Sequence, residues 1–275
     1  MAVTKFVYTD EGPKTKTFIT NNKSEILNAQ GSKYCPVDIS EAIKEVKKTE
    51  GKIAYVGTPC QIAGIRSIQE IDQEFDRKIC ITVSNFCGGF KNFNNIKKIA
   101  HRHSIDYNSM SFFRFRGGGQ PGSMIMKDSR GNEFESSYKL YGGFSGYSKI
   151  LRCHLCVDAT GELADISFGD AWLDRYLDQK EAWSVILTRS AEMTSLIKDM
   201  VKAGRINTEK LSHTDVCLSQ KSNITSKKYR QYSRHRLYRA LGYSIPEFDG
   251  GFDMKQTSLK VELCVYCKHR IPSRF

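Results

Sequence analysis

The sequence predicts an α/β protein with a mixed central sheet flanked by helices, a strand-rich second half and a basic C-terminal extension. Two strand, turn, helix units in succession predict the sheet. A series of short strands from Met110 predicts the second half, and a change to polar, basic composition beyond Leu211 marks the extension. Residues 1–211 are therefore read as a core and 212–275 as the extension. With 275 residues, 40% of them hydrophobic, the chain can bury a core without disulfides.

Alternation in TKFVYT and KTKTFIT, split by the turn formers DEGP, predicts a two-stranded ribbon, followed by a short helix capped by Ser24 and running through Leu27. Ile53 to Gly57 predicts a buried strand, TPC a tight turn, and QIAGIRSIQEI a helix. ICITVSNF, CGGF and NNIKKIAHRH repeat the pattern. Two successive strand ends thus bring Cys60 and Cys87 to one edge of a sheet. SFFRFR, the turn GGGQPG, and SMIMKD with EFESSY around SRGN read as further strands and a hairpin. ADISFGDAW and WSVILTR add two more strands. AEMTSLIKDMVKAG reads as an amphipathic helix stopped at Gly204.

The first residues lack a secretory signal, and no segment approaches the roughly 18 apolar residues of a membrane helix, so a cytoplasmic protein is expected. Nine cysteines in a reducing compartment, an odd number with two CxxC pairs, favour metal or redox chemistry over disulfides. The net charge of +12 predicts an acidic partner, a phosphate-bearing cofactor or nucleic acid.

Four thiolates converging from separate loops suit an iron–sulfur cluster or a structural zinc. Cys153 and Cys156 in RCHLC have the spacing that turns both sulfurs to one centre. Cys60, with Thr58 beside it, opens a helix whose positive end favours thiolate. Cys87 precedes Gly88 and a second glycine, which permit close approach of backbone to a cofactor. Cys35, Cys80 and Cys217 have apolar or unpatterned surroundings and read as small buried hydrophobes. The tail pair Cys264 and Cys267 lies near a terminus with few apolar neighbours.

VGTPCQIAGIR, SNFCGG and RCHLCVDATGELADISFGDAW together resemble the beta-subunit family of coenzyme F420 hydrogenases and dehydrogenases, from QGSKYCPVDISEAI through KSNITSKK. The resemblance implies an α/β fold carrying FAD and a 4Fe–4S cluster, with Cys60, Cys87, Cys153 and Cys156 as cluster ligands. It implies hydride exchange between FAD and a deazaflavin or other small molecule, and single-electron exchange between flavin and cluster. Family members usually carry a further N-terminal flavin-holding stretch, often behind a ferredoxin-like domain. Neither stands in this sequence, so a redox partner subunit or ferredoxin-like domain is the expected partner.

Several other residues are candidates for the flavin. Asp170 and Trp172 follow a strand end, where a carboxylate can bond a flavin ring or ribose and an indole can cover it; a solvated Asp and a core Trp are the plainer alternative. Asn223, Lys227 and Lys228, with Arg230, can bind a pyrophosphate or an anionic tail, or can be a solvated basic face. GGGQPG can cradle phosphate or be an ordinary turn. His154 can donate to cluster sulfur or face solvent. The leading expectation is an iron–sulfur flavoprotein oxidoreductase subunit. The alternative is a zinc-stabilised nucleic-acid-binding protein that uses the basic segment for phosphates and Tyr229, Tyr232 and Tyr238 for stacking.

Overall fold

The computed structural model describes residues 1–119, 121–143, 149–177, 182–248 and 257, so Cys264 and Cys267 lie outside the described residues. β1 (Ala2–Thr9) and β2 (Gly12–Ile19) form the expected antiparallel ribbon, in register from Ala2 opposite Ile19 to Thr9 opposite Gly12. α1 (Lys23–Asn28) follows, capped by Asn22 and not by Ser24. The Asn22 carboxamide oxygen accepts from the Ser24 and Glu25 amides, which places Ser24 inside the first turn.

After α2 (Ser40–Lys48) come β3 (Ile53–Gly57), α3 (Pro59–Ile71), α4 (Gln73–Lys78), β4 (Ile79–Asn85) and α5 (Phe93–Arg102). The segment read as a TPC turn is the cap and first turn of α3, with Pro59 at a position where a missing N–H costs nothing. β5 (Met110–Arg114), β6 (Ser123–Asp128) and β7 (Glu133–Ser137) form an antiparallel sheet of their own, in the order β5-β6-β7. β5 stops two residues short of Arg116, because Arg116 leaves the ladder to reach Asp170.

α6 (Lys139–Gly143), α7 (Leu151–Leu155), β8 (Ile166–Asp170), α8 (Asp174–Leu177), β9 (Ser184–Thr188) and α9 (Ala191–Lys202) complete the core elements. The last segment folds as α10 (His213–Ser219), α11 (Lys221–Ile224), a π turn (Thr225–Tyr229) and α12 (Gln231–Ala240). α12 packs on α7: the Gln231 side chain donates to the His154 carbonyl, and the His235 ring nitrogen lies 3.2 Å from the Leu155 carbonyl.

The main sheet has the order β2-β1-β3-β4-β8-β9. β1, β3, β4 and β8 are parallel, with an antiparallel strand at each margin. One core lies between the sheet and α2 to α4, around Val46, Tyr55, Ile62, Ile65 and Phe75. A second joins α5 to the three-stranded sheet around Ile96, Ile99, Phe113, Phe115 and Met126.

Cys35 sits in that second core as expected. Cys80 does not: it is exposed, at the irregularity where the β3–β4 register jumps from Ile79 to Ile81 and leaves Cys80 without a partner on β3. Cys217 is only half-buried, on the side of α10 that carries His213 one turn earlier. No helix among the described residues is long and apolar enough to cross a membrane.

Candidate cofactor site at the sheet edge

The parallel strands β3, β4 and β8 end side by side, and the segment after each carries a predicted site residue. In α/β sheets this carboxyl edge is where ligands settle, because loops diverge there and helix N-termini point inward. Thr58 and Cys60 follow β3, Cys87 and Gly88 follow β4, and Asp170 with Trp172 ends β8.

At the first strand end, the Gln61 side chain accepts from the Thr58 amide at 2.8 Å, and the Thr58 hydroxyl lies 3.4 Å from Cys60 Sγ. Cys60 thereby stands in the first turn of α3, at the positive end of its dipole. At the second, the Cys87 amide donates to the Ala159 carbonyl at 2.9 Å, stitching the FCGG turn to the loop that follows the CxxC pair. The Gly89 amide donates to Cys87 Sγ at 3.3 Å, and the Phe90 amide donates to the Cys153 thiol.

Gly89 has φ +103°, and a Cβ there would stand 3.2 Å from the Cys153 Cβ and 2.6 Å from Lys149 Cε. Only glycine lets the turn lie this close to α7. Cys153 is buried within α7, and Cys156 follows the helix in extended backbone.

The four thiols share one electrostatic environment. Burial pushes the Cys87 thiol up against the pull of Lys227 and the Gly89 amide, and the neighbouring Cys153 and Cys60 raise it further. Burial likewise raises Cys153, which faces Cys60 in turn. Lys227 joins Cys156 to the group, with Nζ 3.2 Å from Cys156 Sγ and 2.7 Å from the Asp158 carbonyl. Burial pulls the Lys227 ammonium down, but Cys87, Cys156 and Cys153 outweigh it and leave it raised.

Lys149 borders the thiols, and Arg234 acts on Lys149. Lys149 donates to the Gly88 carbonyl at 3.0 Å and is pulled down by burial and by Arg234. Arg234 is held by the carbonyl and hydroxyl of Ser226, and burial brings it down to about 10. Among the described residues, none of Lys227, Lys149 and Arg234 is paired with a carboxylate.

This donor set fits a polynuclear thiolate centre. Buried cations without carboxylates call for an anion, and four deprotonated sulfurs around shared metal supply one. A single zinc would need all its sulfurs about 2.3 Å from one point. Among the described residues no three His, Cys, Asp or Glu are grouped so as to hold a metal ion, so the four thiols neighbour one another without forming a closed ligand shell.

Asp170 and Trp172 stand one strand further along. The Asp170 carboxylate accepts from Arg116 at 2.5 Å, and the Arg116 guanidinium lies 5.0 Å from the Tyr138 ring and 5.4 Å from that of Trp172. The two rings are stacked, 6.2 Å between centres. Arg116 was not a sequence candidate: 54 residues separate it from Asp170, and nothing local in SFFRFR marks it.

Asn223 connects the two parts. Its side chain donates to Gln220, whose own amide donates to the Asp170 carbonyl at 2.7 Å. Its Oδ1 stands where a Cβ on Gly88 would come within 2.7 Å. Lys228 turns away to Glu162 and Tyr229 is largely exposed. The glycine-rich turn includes Gln120, outside the described residues, and Arg116 braces it through the Pro121 carbonyl.

Comparison with known proteins places this geometry in context. A family model described as the C terminus of the beta subunit of coenzyme F420 hydrogenase/dehydrogenase matches residues 50–214. A coenzyme F420 hydrogenase subunit beta from Methanococcus voltae is 24% identical over 86% of this chain and 82% of its own length. A coenzyme F420-dependent sulfite reductase from Methanocaldococcus jannaschii is 27% identical over 58% of this chain and only 26% of its own length. Among solved structures, a chain from the F420-reducing NiFe hydrogenase complex of Methanosarcina barkeri aligns with a TM-score of 0.63 at 19% identity. That alignment covers 89% of this chain and 82% of the other, a likeness of fold.

Proposed function

The chain belongs to the beta-subunit family of coenzyme F420 hydrogenases and dehydrogenases, and from that premise we propose that it is an iron–sulfur flavoprotein subunit. It relays electrons between a hydride carrier, F420 or a similar small molecule, FAD and a 4Fe–4S cluster. The observation that carries this reading is the charge balance at the sheet edge, where Lys227 and Lys149 lie among the thiols and neither is paired with a carboxylate among the described residues.

Cys60, Cys87, Cys153 and Cys156 would hold the cluster. When bound, such a cluster supplies one-electron transfer, and FAD converts between a hydride and single electrons. The protein's own contribution is electrostatic. The start of α3 and the amides of Gly89 and Phe90 direct positive charge at sulfur, and Lys227 adds a full charge. Cys153 and Lys227 are buried, and Cys60, Cys87 and Cys156 are half-buried around them.

Asp170 and Trp172, with Arg116 and Tyr138, are the proposed flavin edge: a stacked aromatic surface with a cation held in place by a carboxylate. Thr58, Gly88 and Asn223 frame the space between that edge and the thiols. The redox partner is a second subunit or a ferredoxin-like domain, and a thiol-rich site of this kind suits the reducing cytoplasm.

The zinc and nucleic-acid reading keeps Lys221, Arg236 and Arg239 on the surface but loses Lys227, Arg234 and the stacking residue Tyr238 to burial.

Anaerobic purification tests the proposal. Brown protein with iron and acid-labile sulfide, retaining added FAD through gel filtration, is the expected result. Colourless protein containing zinc defeats the cluster, and loss of FAD from cluster-bearing protein removes the flavin part alone.

A further inference from the structure

Resting on the reading of the four cysteines as cluster holders, we infer that Lys227 is a positioning residue that raises the reduction potential of that centre. Its role is thereby separated from pyrophosphate binding. Lys227 is 2% exposed, and two of its three N–H donors are committed to Cys156 Sγ and the Asp158 carbonyl. No side of the ammonium is left open to a solvent-borne phosphate.

The local backbone is built to put it there. Thr225–Tyr229 is a π turn between α11 and α12, and a π turn shifts the side-chain register against a continuous α-helix. Lys227 faces the thiols, its neighbour Lys228 reaches Glu162 on the outer side, and Tyr229 is 62% exposed. Helical periodicity alone does not select Lys227 for burial; the wide turn does. The same turn offers its Ser226 carbonyl and hydroxyl to Arg234, which fixes the start of α12 behind it.

The consequence follows from Coulomb's law. Reduction adds one electron to the centre, and a desolvated ammonium against a ligand sulfur favours the more negative state. Hydrogen bonds to cluster sulfur act in the same direction. Lys227 supplies both, whereas the amides of Gly89 and Phe90 supply only the second.

The test is a dye-mediated redox titration of the full chain, purified anaerobically and followed by electron paramagnetic resonance, with iron and sulfide measured on the same samples. Lys227→Met is expected to keep its iron while the reduction equilibrium falls about tenfold or more, 59 mV for a one-electron couple. Lys227→Arg, which keeps the charge, should stay much closer to wild type, and Lys228→Met should not differ from it. Should Lys227→Met fail to fold, Lys227→Gln, which keeps a donor without the charge, is held to the same criterion. A cluster-bearing Met or Gln variant with an unchanged potential overturns the inference, as does an Arg variant shifted as far as Met. Wild-type protein without iron and sulfide would instead defeat the underlying cluster assignment.

Discussion

The hairpin of β6 and β7 and the carboxyl edge of the main sheet handle charge in opposite ways. In the hairpin four of the five charges, all but Glu135, are answered nearby. The Asp128 carboxylate accepts from the amides of Asp106, Arg130 and Asn132 and from the Asn132 side chain, Lys127 pairs with Glu133, and Arg130 pairs with Asp106. At the sheet edge, Lys227, Lys149 and Arg234 meet carbonyls, a hydroxyl and thiols. The hairpin's charges are largely met as folded, whereas the edge cations have no carboxylate partner among the described residues. The same contrast divides the cysteines. Burial pushes Cys35 up to about 12, and nearby Lys33 spends its ammonium on the carbonyls of Ala29, Gln30 and Gly31. Cys35 is therefore held as a thiol, while the sulfurs at the edge have donors and cations directed at them.

The largest expected effect breaks this comparison at its centre. Cys60→Ala, Cys87→Ala or Cys153→Ala should remove most of the iron from anaerobically purified protein, whereas Cys35→Ala should leave it in place. The Cys35 change deletes a buried sulfur and lowers the melting temperature instead. Iron retained in full by the first three variants, or lost from the Cys35 variant, would mean that the wrong sulfurs had been grouped.

A smaller effect comes from Gly169, one residue before the end of β8. A Cβ there would lie 2.0 Å from the Phe86 ring, and Phe86 immediately precedes Cys87. Gly169→Ala must therefore move the ring or the strand, at a cost of about 1–3 kcal/mol as for other overpacked sites. Because the Phe86 amide is bonded to the Phe168 carbonyl, the disturbance is transmitted to the FCGG turn. Urea titration should show the loss of stability, and the iron content should fall in parallel. Gly131→Ala, in the hairpin turn at φ +87° with open space around it, should be strained without affecting iron.

Parts of this arrangement are legible in sequence because their signals are local. β3 and β6 coincide with the predicted IAYVG and SMIMKD, whose apolar residues lie between clear turn signals, and Gly204 ends α9 with φ +64°. The strand-end placement of Cys60 and Cys87 needed only two consecutive strand, turn, helix units. What escaped depends on distant partners. α2 carries few apolar residues among its lysines and glutamates, and its buried Ala42 and Val46 acquire meaning only against the sheet. Arg116 is one more residue of a strand until Asp170 and Trp172 come beside it. Lys227 stands in a basic run that reads equally as an anion site or a solvated face, and its inward turn toward the thiols rests on a π turn that helical spacing conceals. In both cases the partners lie far away along the chain.

The smallest effect sharpens the other side of the comparison. Hydrogen bonds from Asn132, the Asp106 amide and the other turn amides hold Asp128 down to about 2, below the ordinary carboxylate range. A depressed carboxylate contributes its full stabilisation above the ordinary value and loses it as the pH falls through the folded one. The hairpin should therefore keep its protection down to about pH 4 and lose it progressively toward pH 2. Hydrogen exchange at the amides of Asp106, Arg130 and Asn132 reads this directly, whatever happens to the sulfur site in acid. In Asp128→Asn those amides should exchange faster at neutral pH, with little further change between pH 4 and 2, because the titrating group is gone. Since the ion pairs and hydrogen bonds around Asp128 do not reach the sheet edge, the iron content at neutral pH should match wild type; iron lost from this variant would mean that the two regions are coupled.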